Sequence, residues 1–81
     1  MINCSDYDYI EIVCLFNYPI KLTLKPNQTI EGIALDTQRN EQRVECIKLR
    51  SGKTERLVVL DEIAVLEVSV ENPHFKTFTF G

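Results

Sequence analysis

The feature that most constrains this chain is an alternation of apolar and polar residues that begins after Pro19. Ile20, Leu22 and Leu24 fall on one face, and polar residues stand between them. A period of two is typical of a strand with one buried face. The pattern recurs in short segments separated by turn residues such as Pro26–Gln28 and Ser51–Lys53. It predicts strands at about residues 20–25, 29–35, 44–50, 55–60 and 63–70, with a polar connection at 36–42.

The segment before Pro19 has the spacing of an amphipathic helix, predicted at about residues 6–16. Ser5 followed by Asp8 resembles a capping box ahead of an apolar run. Pro19 disfavours helical geometry at Tyr18, so the helix should end before it.

The two faces of this helix differ in character. The face expected to meet a core carries Tyr7, Ile10 and Cys14, with Val13 at its margin. The opposite face carries Asp8, Glu11 and Leu15.

The length of 81 residues fits one small domain spanning 1–81. One helix followed by five short, closely spaced antiparallel strands predicts a mostly β fold, a small and strongly bent five-stranded barrel. Gly32 suggests a bulge or sharp bend within the second strand. OB and SH3-like barrels also fit the strand count, whereas the leading helix favours an Sm-like barrel. The tail at 71–81 would add an edge strand or remain unpaired.

The charges are distributed unevenly along the chain, whose net charge is −3. Residues 1–20 contain three acids and no Lys or Arg, whereas residues 39–56 contain six bases interleaved with three acids. The negative total argues against a protein that binds nucleic acid directly. Acids in a first helical turn are also typical of an ordinary helix cap. Leu15, an apolar residue among these acids, favours a surface that binds a partner.

The three cysteines do not form a recognisable pair or metal motif. Cys4, Cys14 and Cys46 are expected to be reduced thiols without metal, and Cys14 and Cys46 to serve as small core residues. The chain has no apolar run of roughly 20 residues that could span a bilayer. It also lacks the pattern of a signal peptide. We therefore expect a cytoplasmic protein with no membrane association.

The sequence does not predict catalysis or a cofactor. His74 is the only histidine and lies in the tail. No nucleophile–base spacing and no glycine-rich phosphate loop is present. A helix face such as that of Asp8 and Glu11 does not offer the looped ligand set that Ca²⁺ requires. Asp61 and Glu62 are adjacent at a strand corner, where they are expected to be solvated. The chain is expected not to be an enzyme.

Residues 2–14, with the sequence I-N-C-S-D-Y-D-Y-I-E-I-V-C, resemble the opening of the Rho-binding antiterminator family, Rof or YaeO. The resemblance continues at Thr23-Leu24, Ala34–Asp36, Gly52–Leu57 and Leu60–Ile63 and covers about residues 2–70. It implies an Sm-like fold. It also implies binding to the N-terminal region of transcription termination factor Rho, at or near the primary RNA-binding site, which would reduce Rho-dependent termination. The acidic N-terminal helix is expected to compete with RNA for that site through complementary charge. The resemblance does not extend to the tail.

The candidate partner-binding residues follow from the matching motif and from predicted exposure. Asp6 ranks first, followed by Asp8 and Glu11, then Asn3 and Leu15, and finally the loop residues Gln38, Arg39 and Asn40. Tyr7 lies in the motif but on the core stripe, so we assign it to packing. The free protein is expected to be a monomer.

Two alternatives remain open. The first is an Sm-like RNA-binding module that uses the basic 39–56 region, although that region carries interleaved glutamates and lacks the loop signatures expected of RNA-binding Sm proteins. The second is an adaptor for another basic partner. An oligonucleotide shift by the protein itself would favour the first of these.

Overall fold

The computed structural model describes residues 4–80 of the chain. Its elements, in chain order, are a helix α1 (Cys4–Leu15), strands β1 (Pro19–Leu24), β2 (Gln28–Arg39), β3 (Glu45–Ser51) and β4 (Thr54–Val59), a 3-10 turn (Leu60–Glu62), and strands β5 (Ile63–Val68) and β6 (Thr77–Thr79). The strands form one antiparallel sheet in the order β4-β3-β2-β1-β5-β6.

The predicted fold class, mostly β with an N-terminal helix, is confirmed, with two corrections. The sheet does not close into a barrel, because β4 and β6 are its two edges. The described residues also form six strands rather than five. The predicted elements all correspond to observed ones, and apart from the end of β2 no boundary is displaced by more than two residues.

Strand β2 is longer than predicted. It continues to Arg39, so Asp36–Arg39 is a strand and not part of a polar connection. These polar residues suggested a loop because this end of β2 extends past the core and leaves most of its side chains in solvent. Backbone pairing with β3 supports it, with Thr37 opposite Ile47 and Arg39 opposite Glu45.

The irregularity predicted at Gly32 lies elsewhere. Gly32 pairs regularly with Ile20, and the register shift occurs between Ala34 and Asp36. Gly32 allows a close approach instead, since a Cβ there would lie 2.9 Å from the Arg50 carbonyl oxygen.

The core consists of apolar side chains from α1, the first five strands and the 3-10 turn. Its members are Ile10, Val13, Ile20, Leu22, Leu24, Ile30, Ala34, Ile47, Leu49, Val58, Leu60, Ile63, Leu66 and Val68. Of the residues expected in the core, Ile10, Val13, Ile20, Leu22 and Leu24 belong to this set. Cys46 is buried beside it, whereas Tyr7 and Cys14 are only partly buried at its margin. Val13 takes the place expected for Cys14, because the helix turns its Ile10–Val13 edge to the sheet.

The C-terminal segment packs against both β5 and α1. The Val68 N–H donates to the Lys76 carbonyl at 2.7 Å, and β6 continues this pairing with β5. The Tyr9 ring stacks on Phe78 with centroids 3.8 Å apart and meets Phe75 edge-on at 4.9 Å. The tail is therefore an edge strand that also contacts the helix.

Candidate functional site

The exposed face of α1 carries the acids that the sequence singled out. Asp8 and Glu11 are exposed, and Asp6 in the first turn is partly buried. The side chains of Ile10 and Val13 are fully buried against the sheet, which fixes the rotation of the helix about its axis. The same packing that forms the core therefore directs Asp8 and Glu11 into solvent.

The C-terminal end of α1 is fixed by a Schellman motif. The Tyr18 N–H donates to the Val13 carbonyl at 3.0 Å, and the Asn17 N–H donates to the Cys14 carbonyl at 3.2 Å. Asn17 has the left-handed conformation that this motif requires, with φ 50°. The helix consequently ends at a defined residue.

Asn17 also joins the helix end to β2. Its side-chain amide donates to the Cys14 carbonyl at 3.2 Å and to the Ala34 carbonyl at 2.9 Å. The Ala34 N–H in turn donates to the Tyr18 carbonyl at 3.0 Å. These bonds fasten the end of α1 beside the register shift in β2.

An open groove between α1 and β2 brings a further acid into the site. Asp8, Glu11 and Leu15 line its helix side, and Leu35 and Asp36 line its strand side. A bulge changes the direction of side chains along a strand, and the register shift beside Asp36 has this character. We call the surface formed by these five residues the acidic groove.

The Cys14 thiol lies at this groove, and its pKa depends on charges from both α1 and β2. Burial, followed by the negative charges of Asp36 and then Glu11, raises the pKa of Cys14 from 9.0 to about 12. The carboxylates of Asp36 on β2 and Glu11 on α1 therefore both raise the pKa of the Cys14 thiol. The Asp36 carboxylate also accepts a hydrogen bond from the Thr37 N–H at 2.8 Å.

Asp36 was not among the predicted site residues. Its signal in the sequence was the Ala34–Asp36 element shared with the antiterminator family. Ala34 and Leu35 ended a predicted strand and Asp36 began the supposed polar connection, so the position of Asp36 opposite the helix could not be inferred.

An apolar and aromatic surface continues from the acidic groove. Leu15 is 75% exposed and Phe16 is 49% exposed. The Phe16 ring stacks on Tyr18 and His74, with centroids 5.4 and 4.9 Å away. Leu15, predicted as an apolar residue within the acidic face, is therefore at the solvent surface.

The other predicted site residues lie apart from this constellation or outside the described part of the chain. Gln38 and Arg39 are exposed at the end of β2, and Arg39 forms an ion pair with Glu45 at 3.7 Å. The Asn40 side-chain oxygen accepts hydrogen bonds from the backbone N–H groups of Gln42 and Val44 at 2.9 and 3.0 Å, so this side chain organises the loop. Asn3 lies outside the described residues.

The basic region forms the hairpin of β3 and β4 and its neighbouring loop. Lys48 forms an ion pair with Glu55 at 3.8 Å, and Arg50 lies opposite the same glutamate in the strand register. The interleaved acids noted in the sequence therefore neutralise part of the charge of this hairpin.

The groups that could support other chemistry are few. Among the described side chains, those of residues 5–80, no three His, Cys, Asp or Glu are grouped so that they could hold a metal ion. Cys14 and Cys46 are free thiols, and Cys46 is buried with a pKa raised chiefly by that burial. None of the helices in the described part of the chain is long and apolar enough to cross a membrane.

Comparison with known proteins identifies the family. A solved structure of YaeO bound to magnesium, from Vibrio cholerae O395, superposes with a TM-score of 0.89 at 45% sequence identity, covering 93% of this chain and 97% of the other. No curated protein sequence matches the chain. The family model for ROF, the modulator of Rho-dependent transcription termination, matches residues 1–80. The chain belongs to the ROF family of modulators of Rho-dependent transcription termination.

Proposed function

We propose that this protein modulates termination by binding Rho directly through the acidic groove. The target is the N-terminal region of Rho, at or near the primary RNA-binding site, so that the protein and RNA exclude one another. The protein acts in the cytoplasm as a binding inhibitor and not as an enzyme. The observation that carries the proposal is the convergence of Asp8, Glu11 and Asp36 from two elements on one exposed groove.

Electrostatic complementarity supports this assignment. A site that accepts RNA phosphates must be cationic, because phosphate contacts supply most of the affinity for nucleic acid. Carboxylates held on a rigid surface can compete for the same cations. Asp8 and Glu11 form no ion pair within residues 4–80, so their charges are available to a partner. The attraction would also accelerate encounter at low salt.

The alternative of direct RNA binding would use the basic hairpin. The ion pairs of Arg39 and Lys48 with glutamates oppose it, because each glutamate repels a phosphate that approaches its partner. A labelled oligonucleotide titrated with the protein alone tests this alternative, and saturable binding of RNA without Rho would favour it.

The test of the proposal is a titration of labelled Rho with the parent protein and with the double variant Asp8→Lys and Glu11→Lys. Both side chains are exposed, so the variant should remain folded. Two attractions become two repulsions, and we expect affinity to fall roughly 100-fold or more. Binding of the parent should weaken as salt rises, because screening acts over about 10 Å at 0.1 M.

A matched control separates the groove from the total charge. Glu41→Lys with Glu62→Lys changes the net charge by the same amount at exposed positions outside the groove. This control should bind Rho with nearly the affinity of the parent. Equal losses in the two double variants would show that only net charge matters. Absence of Rho binding by the parent would refute the proposed function.

A further inference from the structure

The end of α1 presents two consecutive large apolar side chains to solvent. Leu15 is 75% exposed and Phe16 is 49% exposed. The other large apolar side chains exposed in the described residues are Val44 and Val70, which lie in separate segments. Exposed apolar residues that adjoin one another, unlike ones scattered singly, are a candidate surface for binding another molecule.

This apolar pair is held in a fixed position. The Schellman motif and the Asn17 amide fix the backbone on which Leu15 and Phe16 stand. The Phe16 ring packs against both Tyr18 and His74, whose own ring centroids lie 6.3 Å apart. A backbone and an aromatic ring that are ordered before binding lose less entropy when they bind, so this pair is suited to act as an anchor.

The chemistry around Leu15 restricts what can cover it. Leu15 lines the acidic groove together with Asp8, Glu11 and Asp36. A complementary partner must therefore offer an apolar pocket with cations beside it. This combination is the chemistry of a site for single-stranded nucleic acid, where bases stack on apolar or aromatic side chains and basic residues hold the phosphates.

We propose that the end of α1 imitates a nucleotide. Leu15 and Phe16 enter the base-binding pocket of the RNA site on Rho, and the carboxylates of the acidic groove take the positions of phosphates. This inference rests on the proposed function and adds the pocket that the apolar residues fill. It explains why the acidic face includes large apolar residues at its end.

The inference predicts two separable effects on binding. Removing apolar contact should weaken binding at every salt concentration and leave the salt dependence unchanged, because no charge is altered. Removing carboxylates should reduce the salt dependence itself. The slope of log affinity against log salt concentration therefore distinguishes the two contributions.

The experiment compares Leu15→Ser, and Leu15→Ser with Phe16→Ser, against the parent in Rho titrations at several salt concentrations. Burying one leucine side chain corresponds to about a 10- to 100-fold change in affinity, so each variant should bind at least about 10-fold more weakly. The single variant guards against a loss of folding through Phe16, because Leu15 is the more exposed. The matched control Val44→Ser with Val70→Ser should bind like the parent.

A short single-stranded RNA used as competitor locates the pocket. Parent binding should fall in proportion to the RNA that occupies Rho. An undiminished affinity would overturn both this inference and the exclusion of RNA that the proposed function states. If the parent binds and competes with RNA but Leu15→Ser binds equally well, the nucleotide imitation is wrong and the proposed function stands. If the parent does not bind Rho, both fail.

Discussion

The helix α1 and the hairpin of β3 and β4 are attached to the molecule in different ways. The hairpin continues a backbone ladder, from Arg39 opposite Glu45 through to Ser51 opposite Thr54. The helix has no such ladder. It is held chiefly by the side chains of Ile10 and Val13 in the core and Tyr9 against the tail, and its end by the hydrogen bonds to Ala34. The position of the acidic face thus depends on a few side chains.

The two regions also use charge differently. Bases of the hairpin face glutamates across the strands, as Lys48 does with Glu55. The acids of the helix share their segment with no base, and Asp36 adds to them from β2. A charged surface becomes a candidate binding site when its own segment does not neutralise it, and this difference distinguishes the acidic groove from the hairpin.

The largest effect should follow from loosening the helix. Ile10→Ala removes a fully buried side chain that joins α1 to the core. We expect a loss of about 2–5 kcal/mol in the free energy of unfolding, since truncation of a buried isoleucine combines lost burial with a cavity. Urea denaturation followed by circular dichroism measures the change.

The control for this prediction lies on the hairpin. Arg56→Ala truncates an exposed side chain of β4, and should change the free energy of unfolding by no more than about 0.5 kcal/mol. A loss below about 1 kcal/mol for Ile10→Ala would contradict the view that side-chain packing holds the helix.

A smaller effect on the free energy of unfolding should distinguish two residues whose backbone has a left-handed conformation. They are Asn17 at the helix end and Arg43 in the loop before the hairpin. Asn17→Ala removes two hydrogen bonds and places alanine at φ 50°, so we expect a loss of about 1–3 kcal/mol. Asn17→Gly should lose less, because glycine accepts the backbone conformation.

Arg43→Gly supplies the comparison. Glycine relieves about 1–2 kcal/mol of left-handed strain and costs about 0.5–1 kcal/mol in chain entropy, so the protein should be unchanged or slightly more stable. Thermal denaturation of the three variants gives the ranking. Equal losses for Asn17→Gly and Arg43→Gly would show that the Asn17 amide does not fasten the helix.

The sequence was informative where a local pattern determines the structure. Alternation located strands β1 to β5, and helical spacing located α1 and the exposure of Asp8 and Glu11. The open sheet could not be read in this way, because closure depends on how far each strand bends in three dimensions. The extension of β2 was hidden because its end has no buried face that would impose an alternation.

The site was less predictable than the fold. The exact rotation of α1 places Val13 inward and leaves Cys14 at the margin, a difference of one position that spacing alone does not resolve. The contribution of Asp36 depends on β2 passing beside the helix, which is a tertiary contact between segments distant in sequence. Local patterns therefore identified one half of the acidic groove.

The raised pKa of Cys14 should affect the stability of the protein only in alkaline solution. Its pKa rises from 9.0 to about 12 on folding, so the unfolded chain ionises first. This thiol leaves stability unaffected below pH 9.0 and reduces it as the pH rises from there to about 12. The stability of the parent relative to Cys14→Ala, measured in urea at increasing pH, should decline across this interval. Asp36→Asn should weaken the part of this decline that is due to charge, and a decline unchanged by this variant would contradict the contribution of Asp36.

The smallest effect should come from the ion pair of the hairpin. Glu55→Gln removes the partner of Lys48, but Glu55 is exposed, Lys48 is only half-buried, and the paired atoms are 3.8 Å apart. Exposed pairs contribute at most about 1 kcal/mol and lose their effect as salt rises. We therefore expect a change of less than about 1 kcal/mol in the free energy of unfolding, measured in urea at low salt, and none at high salt. Affinity for Rho should not change, because the glutamate lies outside the acidic groove. A clear gain in RNA binding by this variant would instead show that the glutamate restrains a basic surface, and the contrast between the two regions would then describe two binding sites.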